Sequence, residues 1–237
     1  QARPTAFAMV QSMPPPGSDI QQLRLPLRQE ASQRAADFAV SDSNAAATSV
    51  LATWPEMAGS ILSIFGPPGS GKSHLAAAWV ERTGALALHG AEAALVDPLE
   101  LEGQFVLLDR AQDADDESLF HLINLTQSGG GALLLVSRDP PGAWACDLPD
   151  LRSRLNAIRT VGIEAPDDVV LGAMLKRAFA TRNITPGEEV VDYLARRIDR
   201  SADAVERIVD QLDAYHRPVT RVLARQVLGD SDELSDG

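Results

Sequence analysis

The stretch "ILSIFGPPGSGKS" (61–73) constrains this chain more than any other. A short apolar run leads into a glycine-rich turn that fits G-x-x-x-x-G-K-[ST] over 66–73. Glycines at that spacing let backbone amides turn inward around phosphate oxygens. Lys72 then places a cation on the outer phosphates, and Ser73 can offer a hydroxyl to Mg²⁺. A helix beginning near Lys72 directs its positive end at the same anion. The bland alternative, a glycine loop used only as a tight turn, leaves the lysine and the serine unexplained.

A phosphate loop of this kind needs a parallel sheet behind it. Four more apolar runs supply one: "ALAL" (85–88), "FVLLD" (105–109), "ALLLVS" (132–137) and "TVGIE" (160–164). Near-continuous runs of this length suit strands buried on both faces. Helical segments at 72–82, 115–127 and 148–157 fall between them, which predicts an α/β domain over 31–164. The acids and serine of "DADDES" (113–118) read as a capped helix start. After residue 164 strand signals stop, and 168–181, 187–199, 202–215 and 219–228 have helical spacing, punctuated by Pro166, Pro186 and Pro218. That predicts a small all-helical domain over 165–229. Residues 1–30, rich in Pro, Gln and Ser, read as a flexible arm, and 230–237 as an acidic disordered tail.

Composition bounds the partners. The net charge is −12, which disfavours unspecific attraction to nucleic acid without excluding a local basic patch. One cysteine, Cys146, rules out an intramolecular disulfide. No apolar run reaches the roughly 18 residues of a membrane span, and no secretory signal opens the chain. The expectation is a cytoplasmic protein with no membrane partner.

Three further segments carry chemistry. In "FVLLDR" (105–110) the strand ends on Asp109, a carboxylate able to hold the water shell of Mg²⁺. Arg110 follows where many such ATPases carry an acid, and arginine cannot act as a base. Intrinsic hydrolysis is therefore expected to be slow. In "LVSRDPP" (135–141), Ser137 and Arg138 are candidates to orient water near a γ-phosphate. In "DLRSRLN" (150–156), Arg152 and Arg154 leave a helix in different directions. One reading pairs an arginine with a surface acid. The other sends Arg154 into a neighbouring molecule's nucleotide site, where an arginine in trans raises rates by about 10³–10⁵.

The order of these motifs resembles the AAA+ ATPases, and within them the DnaA initiator branch, from about residue 35 to 229. "GPPGSGKSHL" resembles that branch's Walker A, which implies nucleotide contacts from Pro68, Gly69, Ser70, Gly71, Lys72, Ser73 and His74. "FAVSDSN" (38–44) resembles the N-terminal box, which implies adenine contacts from Phe38, Val40 and Asn44. "VSRDPP" resembles sensor 1 with two residues transposed. "LRSRL" resembles box VII and puts Arg154 at the arginine-finger position. "IDRSADAVERIVDQLD" (198–213) resembles the sensor 2 helix, but Asp203 stands where the family has arginine. Arg207, one turn on, is the candidate substitute.

Two departures narrow the resemblance. No helix-turn-helix domain is expected after the helical domain, and only "HGAEAALVDPLELEG" separates the second and third strands, too short for the initiator's helical insertion. Both resemble Hda-type regulators, which inactivate DnaA. The arm fits that pattern. "QLRLPL" (22–27) is similar to the motif by which such proteins dock on the DNA polymerase sliding clamp, with Gln22 as polar anchor, Leu23, Leu25 and Leu27 as apolar plugs, and Pro26 between. The resemblance implies ADP (or ATP) and Mg²⁺ as ligands, and the sliding clamp and DnaA as partners. It leaves a homodimer open and implies no sequence-specific DNA binding by this chain. The implied function is negative regulation of replication initiation through hydrolysis of DnaA-bound ATP. The rivals are a nucleotide-gated adaptor without catalytic contribution and a DNA-remodelling or helicase-loading ATPase.

Overall fold

The computed structural model describes residues 39–229. Five strands, β1 (Ser60–Phe65), β2 (Leu86–His89), β3 (Phe105–Asp109), β4 (Ala132–Ser137) and β5 (Arg159–Gly162), form one parallel sheet in the order β2-β3-β4-β1-β5. The apolar content of each run sets its place. All six residues of β4 are buried, and it sits at the centre, paired with β1 from Ser60↔Ala132 to Phe65↔Ser137. The two edge strands have only four residues each, none of them buried, and their shortness discourages pairing with another chain.

Alternation along the strands builds two core layers. Leu62, Ile64, Leu134 and Val136 face one layer, closed by α1 (Ala45–Thr53) and α2 (Lys72–Thr83) through Leu51 and Trp79. Leu133 and Leu135 face the other, closed by α3 (Asp116–Gly129) and α4 (Pro149–Ala157) through Ile123, Leu151 and Leu155. Helix α1 has no counterpart among the expected elements. Only Ala47 and Leu51 of "AAATSVLAT" are buried, too sparse a stripe to read. Long-range contacts secure it: Arg82 donates to the carbonyls of Leu51 and Trp54 at 2.7 and 2.6 Å, and the Trp79 indole donates to Trp54 at 3.2 Å.

The last four helices, α5 (Asp168–Ala180), α6 (Glu188–Ala195), α7 (Ala202–Asp213) and α8 (Arg221–Leu228), share a core of their own, including Leu171, Leu175, Phe179, Val191, Leu194, Val205, Ile208, Leu212 and Leu223. Arg200 ties α7's approach to the start of α5, donating to the Pro166 carbonyl at 2.9 Å and to Asp168 at 2.7 Å. Asp167 caps α5 by accepting from the Val170 amide at 2.9 Å. The Ser41 hydroxyl, with the Val170 and Val169 amides and Arg200, holds the Asp167 carboxyl below the usual aspartate range against the opposing effect of burial.

A depressed carboxyl adds stability that is present above its unfolded value, near about 3.9, and is lost as pH falls through the folded value. Asp167→Asn should keep most of the cap at neutral pH, at a cost of about 1 kcal/mol or less. It should also flatten the acid limb of a denaturation profile below about pH 4. An acid limb as steep as the parent's would show that this carboxylate carries none of the pH dependence.

Candidate functional site

The phosphate loop is held by its neighbours on both sides. The Gly66 amide donates to the Arg138 carbonyl at 3.1 Å, and the Ile163 amide donates to the Phe65 carbonyl at 2.7 Å. A Cβ on Gly66 would lie 2.1 Å from the Ile163 carbonyl oxygen, so only glycine fits between β1 and β5 there. Gly69 has φ +72°, and a Cβ on it would lie 2.8 Å from the Ala202 amide nitrogen and 3.0 Å from Ser201. The loop and the first turn of α7 therefore touch backbone to backbone.

Helix α2 opens at the end of this loop, with its free amides aimed into it. Lys72 Nζ donates to the carbonyls of Gly66 and Pro67 at 2.8 and 2.6 Å and approaches Ser70 Oγ at 3.4 Å. Burial pushes the Lys72 ammonium below the usual lysine value. Asp109 works against that shift, and Arg138 adds to it. Asp109 and Arg138 thus both lie within electrostatic range of Lys72.

Asp109 ends β3 and accepts from the Arg110 amide at 2.9 Å. Arg110 is exposed with φ 49°, the left-handed turn that carries the chain off the sheet. Ser137 is buried, and its hydroxyl donates to the Asp139 carbonyl at 2.7 Å. Of the two candidates at the end of β4, Arg138 is the exposed one. The oxygen donors of Ser73 and Asp109 suit Mg²⁺, a hard cation that keeps several waters. No group of three or more His, Cys, Asp or Glu side chains among the described residues could hold a metal, so any ion here would complete its shell with water and phosphate.

Beside the loop lies a cleft of about 610 Å³, walled by Gly69 to His74 and Ala77 on one side and by α5 and α7 on the other. Six of the residues read as nucleotide contacts, Gly69, Ser70, Gly71, Lys72, Ser73 and His74, line it together. Pro68 is exposed and does not line it. Val40 is 54% exposed and its neighbour Ala39 lines the cleft instead. Asn44 is buried, with both ends of its amide engaged locally: Nδ2 donates to the Ala39 carbonyl at 2.9 Å and Oδ1 accepts from the Ser41 amide at 3.0 Å. Its part is to fix Ala39 at the rim. Phe38 and the arm residues Gln22, Leu23, Leu25, Pro26 and Leu27 lie outside the described residues.

On α7 the cleft is lined by Ala202, Val205 and Glu206, while Asp203 and Arg207 are exposed and do not line it. One residue is about 100° of helix, enough to put Arg207 and Glu206 in different surroundings. The α5 wall, Val170, Ala173, Met174, Arg177, Ala178 and Thr181, follows helical spacing. That stripe is visible in the sequence, but periodicity does not distinguish a cleft-facing stripe from a core-facing one.

Arg154 lies elsewhere. Its guanidinium donates to Gln127 Oε1 at 2.6 Å and stands 5.2 Å from the Phe120 ring centroid. It borders a second, open cleft of about 390 Å³ with Gly59, Ile61 and Arg159, at the starts of β1 and β5. The phosphate loop follows the opposite end of β1, about 16 Å of strand away. Arg152 does diverge from it, but not into solvent. It donates to the carbonyls of Gly142, Trp144 and Cys146 at 3.2, 2.7 and 3.3 Å and pins that loop. Neither arginine pairs with a surface acid among the described residues.

No protein-family model matches the chain. The chromosomal replication initiator protein DnaA of Thermomicrobium roseum is 32% identical over 127 residues, 51% of this chain. The match spans 27% of that protein, so the chain corresponds to about a quarter of the length of the curated relatives it matches. Among solved structures, domain III of the Thermotoga maritima replication initiation protein DnaA superposes with a TM-score of 0.68 at 19% identity, over 84% of this chain and 96% of that one. AMPPCP-bound DnaA from Aquifex aeolicus superposes with a TM-score of 0.62 at 20% identity, over 77% of this chain and 65% of that one. The fold is the AAA+ fold of DnaA domain III. Among the described residues, no helix is long and apolar enough to cross a membrane.

Proposed function

We propose that this chain is a nucleotide-loaded regulator of replication initiation. It holds ADP (or ATP) with Mg²⁺ between the phosphate loop and the helical bundle, docks on the sliding clamp through residues 22–27, and promotes hydrolysis of ATP bound to DnaA. Similarity to DnaA supports the setting. The observation that carries the mechanism is the position of Arg154. It stands at the opposite end of the sheet from the chain's own phosphate loop, so its guanidinium is of no use to a nucleotide bound there. Gln127 and Phe120 hold it on the surface, where a second molecule's phosphates can meet it. Arg110, in place of an acid after Asp109, leaves the chain's own site without an evident base.

When nucleotide and Mg²⁺ are bound, Lys72 neutralises phosphate charge, while Ser73 and Asp109 would hold the ion and its water. The adaptor alternative has one observation in its favour. The hydrogen bond to Gln127 already employs Arg154 in tying α4 to α3, a structural part that needs no catalysis.

The test is ATP hydrolysis by DnaA in the presence of clamp-loaded DNA, with and without this protein. Stimulation supports the regulator, and unchanged hydrolysis with intact clamp binding supports the adaptor. Strong turnover by this protein alone would support the remodelling ATPase. A second measurement addresses the arm. Replacing Gln22, Leu23 and Leu25 with alanine should abolish clamp pull-down and leave the melting temperature nearly unchanged, because these side chains are assigned contacts only with the partner. Undiminished pull-down would remove the clamp from the proposal.

A further inference from the structure

Residues 214–229, the turn before α8 and α8 itself, carry three arginines and no acid in a chain whose net charge is −12. Two tyrosines hold this charge in place. Arg221, exposed at the start of α8, stands 5.1 Å from the ring centroid of Tyr193 on α6. Arg197, exposed just past the end of α6, stands 4.1 Å from the same ring. Arg217 stands 5.1 Å from the Tyr215 ring and donates to Gln226 Oε1 at 3.1 Å, which brings it beside the last turn of α8. Neither Arg217 nor Arg221 has an acid partner among the described residues. An aromatic face fixes a guanidinium without neutralising it. Like charges are thus gathered along one helix, and an anion laid across them would relieve their repulsion.

We infer that residues 230–237, "DSDELSDG", fold back along α8 and cover this arginine face. The inference is independent of the nucleotide and clamp readings. Charge complementarity carries it: Asp230, Asp232, Glu233 and Asp236 are four acids in eight residues that include no base. Reach allows it. The segment starts directly after Gly229, which closes α8 with φ 74°. Eight extended residues span up to about 26 Å, whereas the eight residues of α8 rise about 12 Å, so the acids can reach from Arg217 to Arg221 and Arg197. The short tether also matters. Exposed ion pairs are weak singly, but a tether of this length holds them at a local concentration on the order of millimolar. The other segment outside the described residues fits poorly, because residues 1–38 carry four arginines against three acids. Composition alone reads 230–237 as disordered; the arginine face gives it a place to lie.

Paramagnetic relaxation measured by NMR on the full chain tests this. A nitroxide is attached at Ser235→Cys in a Cys146→Ser background, so that the label has one site. At low salt the amide signals of 193–197 should broaden. They are the diagnostic ones, since they are remote from the label in sequence. The broadening should be lost near 1 M salt, where the Debye length is about 3 Å rather than the roughly 10 Å at 0.1 M. It should also be lost when Arg197→Ala and Arg221→Ala are combined. Arg159→Ala, on the edge strand β5, is the charge control and should leave it intact. Neutralising the segment itself, with Asp230→Asn, Asp232→Asn, Glu233→Gln and Asp236→Asn together, should abolish it as well. That variant decides the matter if the arginine pair proves unable to fold, because it changes no described residue. Broadening confined to the last residues of α8 would mean an unattached segment and overturns the inference. So does broadening at 193–197 that survives neutralisation of the segment. Broadening that grows with protein concentration puts the segment of a second copy on the face and overturns the contact within one chain.

Discussion

Arg154→Ala should leave this protein folded and able to bind ADP, yet reduce its stimulation of DnaA-bound ATP hydrolysis by about 10² or more, given what arginines in trans supply. The side chain gives up one hydrogen bond to Gln127 and a ring contact with Phe120, both at the surface, so the cost to stability is about 1 kcal/mol. The obvious control, Arg152→Ala, is a poor one. Arg152 closes three carbonyls of the 142–146 loop, and its removal would confuse a loss of structure with a loss of function. Arg159→Ala is better. Arg159 borders the same open cleft and has only a long, exposed ion pair, 3.7 Å to Glu56. Loss of stimulation with Arg154→Ala but not Arg159→Ala would separate one placed guanidinium from general positive charge. Full stimulation by a folded Arg154→Ala would show that Arg154 is not the arginine that acts on DnaA-bound ATP.

Lys72→Ala should lower ADP affinity by about two orders of magnitude, since the loop loses its ammonium and the charge-assisted bonds it can give to phosphate. At a ligand concentration 100 times the parent's Kd, binding stabilises the parent by about 2.7 kcal/mol and such a variant by only about 0.4 kcal/mol. For a chain of this size that difference separates a melting shift of about 5–10 °C from one of about 1 °C. The ammonium also donates to the Gly66 and Pro67 carbonyls, so the loop of the variant loses an internal tie as well. Equal melting shifts for both proteins would show that ADP binds elsewhere.

The three central strands were readable because β1, β3 and β4 are buried along near-continuous apolar runs, whereas the edge strands β2 and β5, also expected to be buried on both faces, have no buried residue. The loop was readable because its glycines and lysine are adjacent in sequence. Helix α1 was not, since its C-terminal end is secured by Arg82 and Trp79, about 30 residues away along the chain, rather than by its own periodicity. The helical wall of the cleft was readable only in part. Spacing found the stripe of α5 but could not show that it lines the cleft. On α7 the family's pattern pointed to Asp203 and Arg207, whereas the helix turns Glu206 to the cleft. Arg152 and Arg154 differ for a similar reason. Which carbonyls or rings surround a side chain depends on segments far off in the chain, and two-residue spacing fixes only that their directions diverge.

The contact at Gly69 has a mechanical consequence. Backbone meets backbone between the phosphate loop and the first turn of α7, with no side chain between them to absorb displacement. The loop cannot bulge outward there without pushing on a rigid unit whose four helices share one core. A displacement of the loop at Gly69 therefore meets α7 directly and reaches α5, α6 and α8 through the core they share.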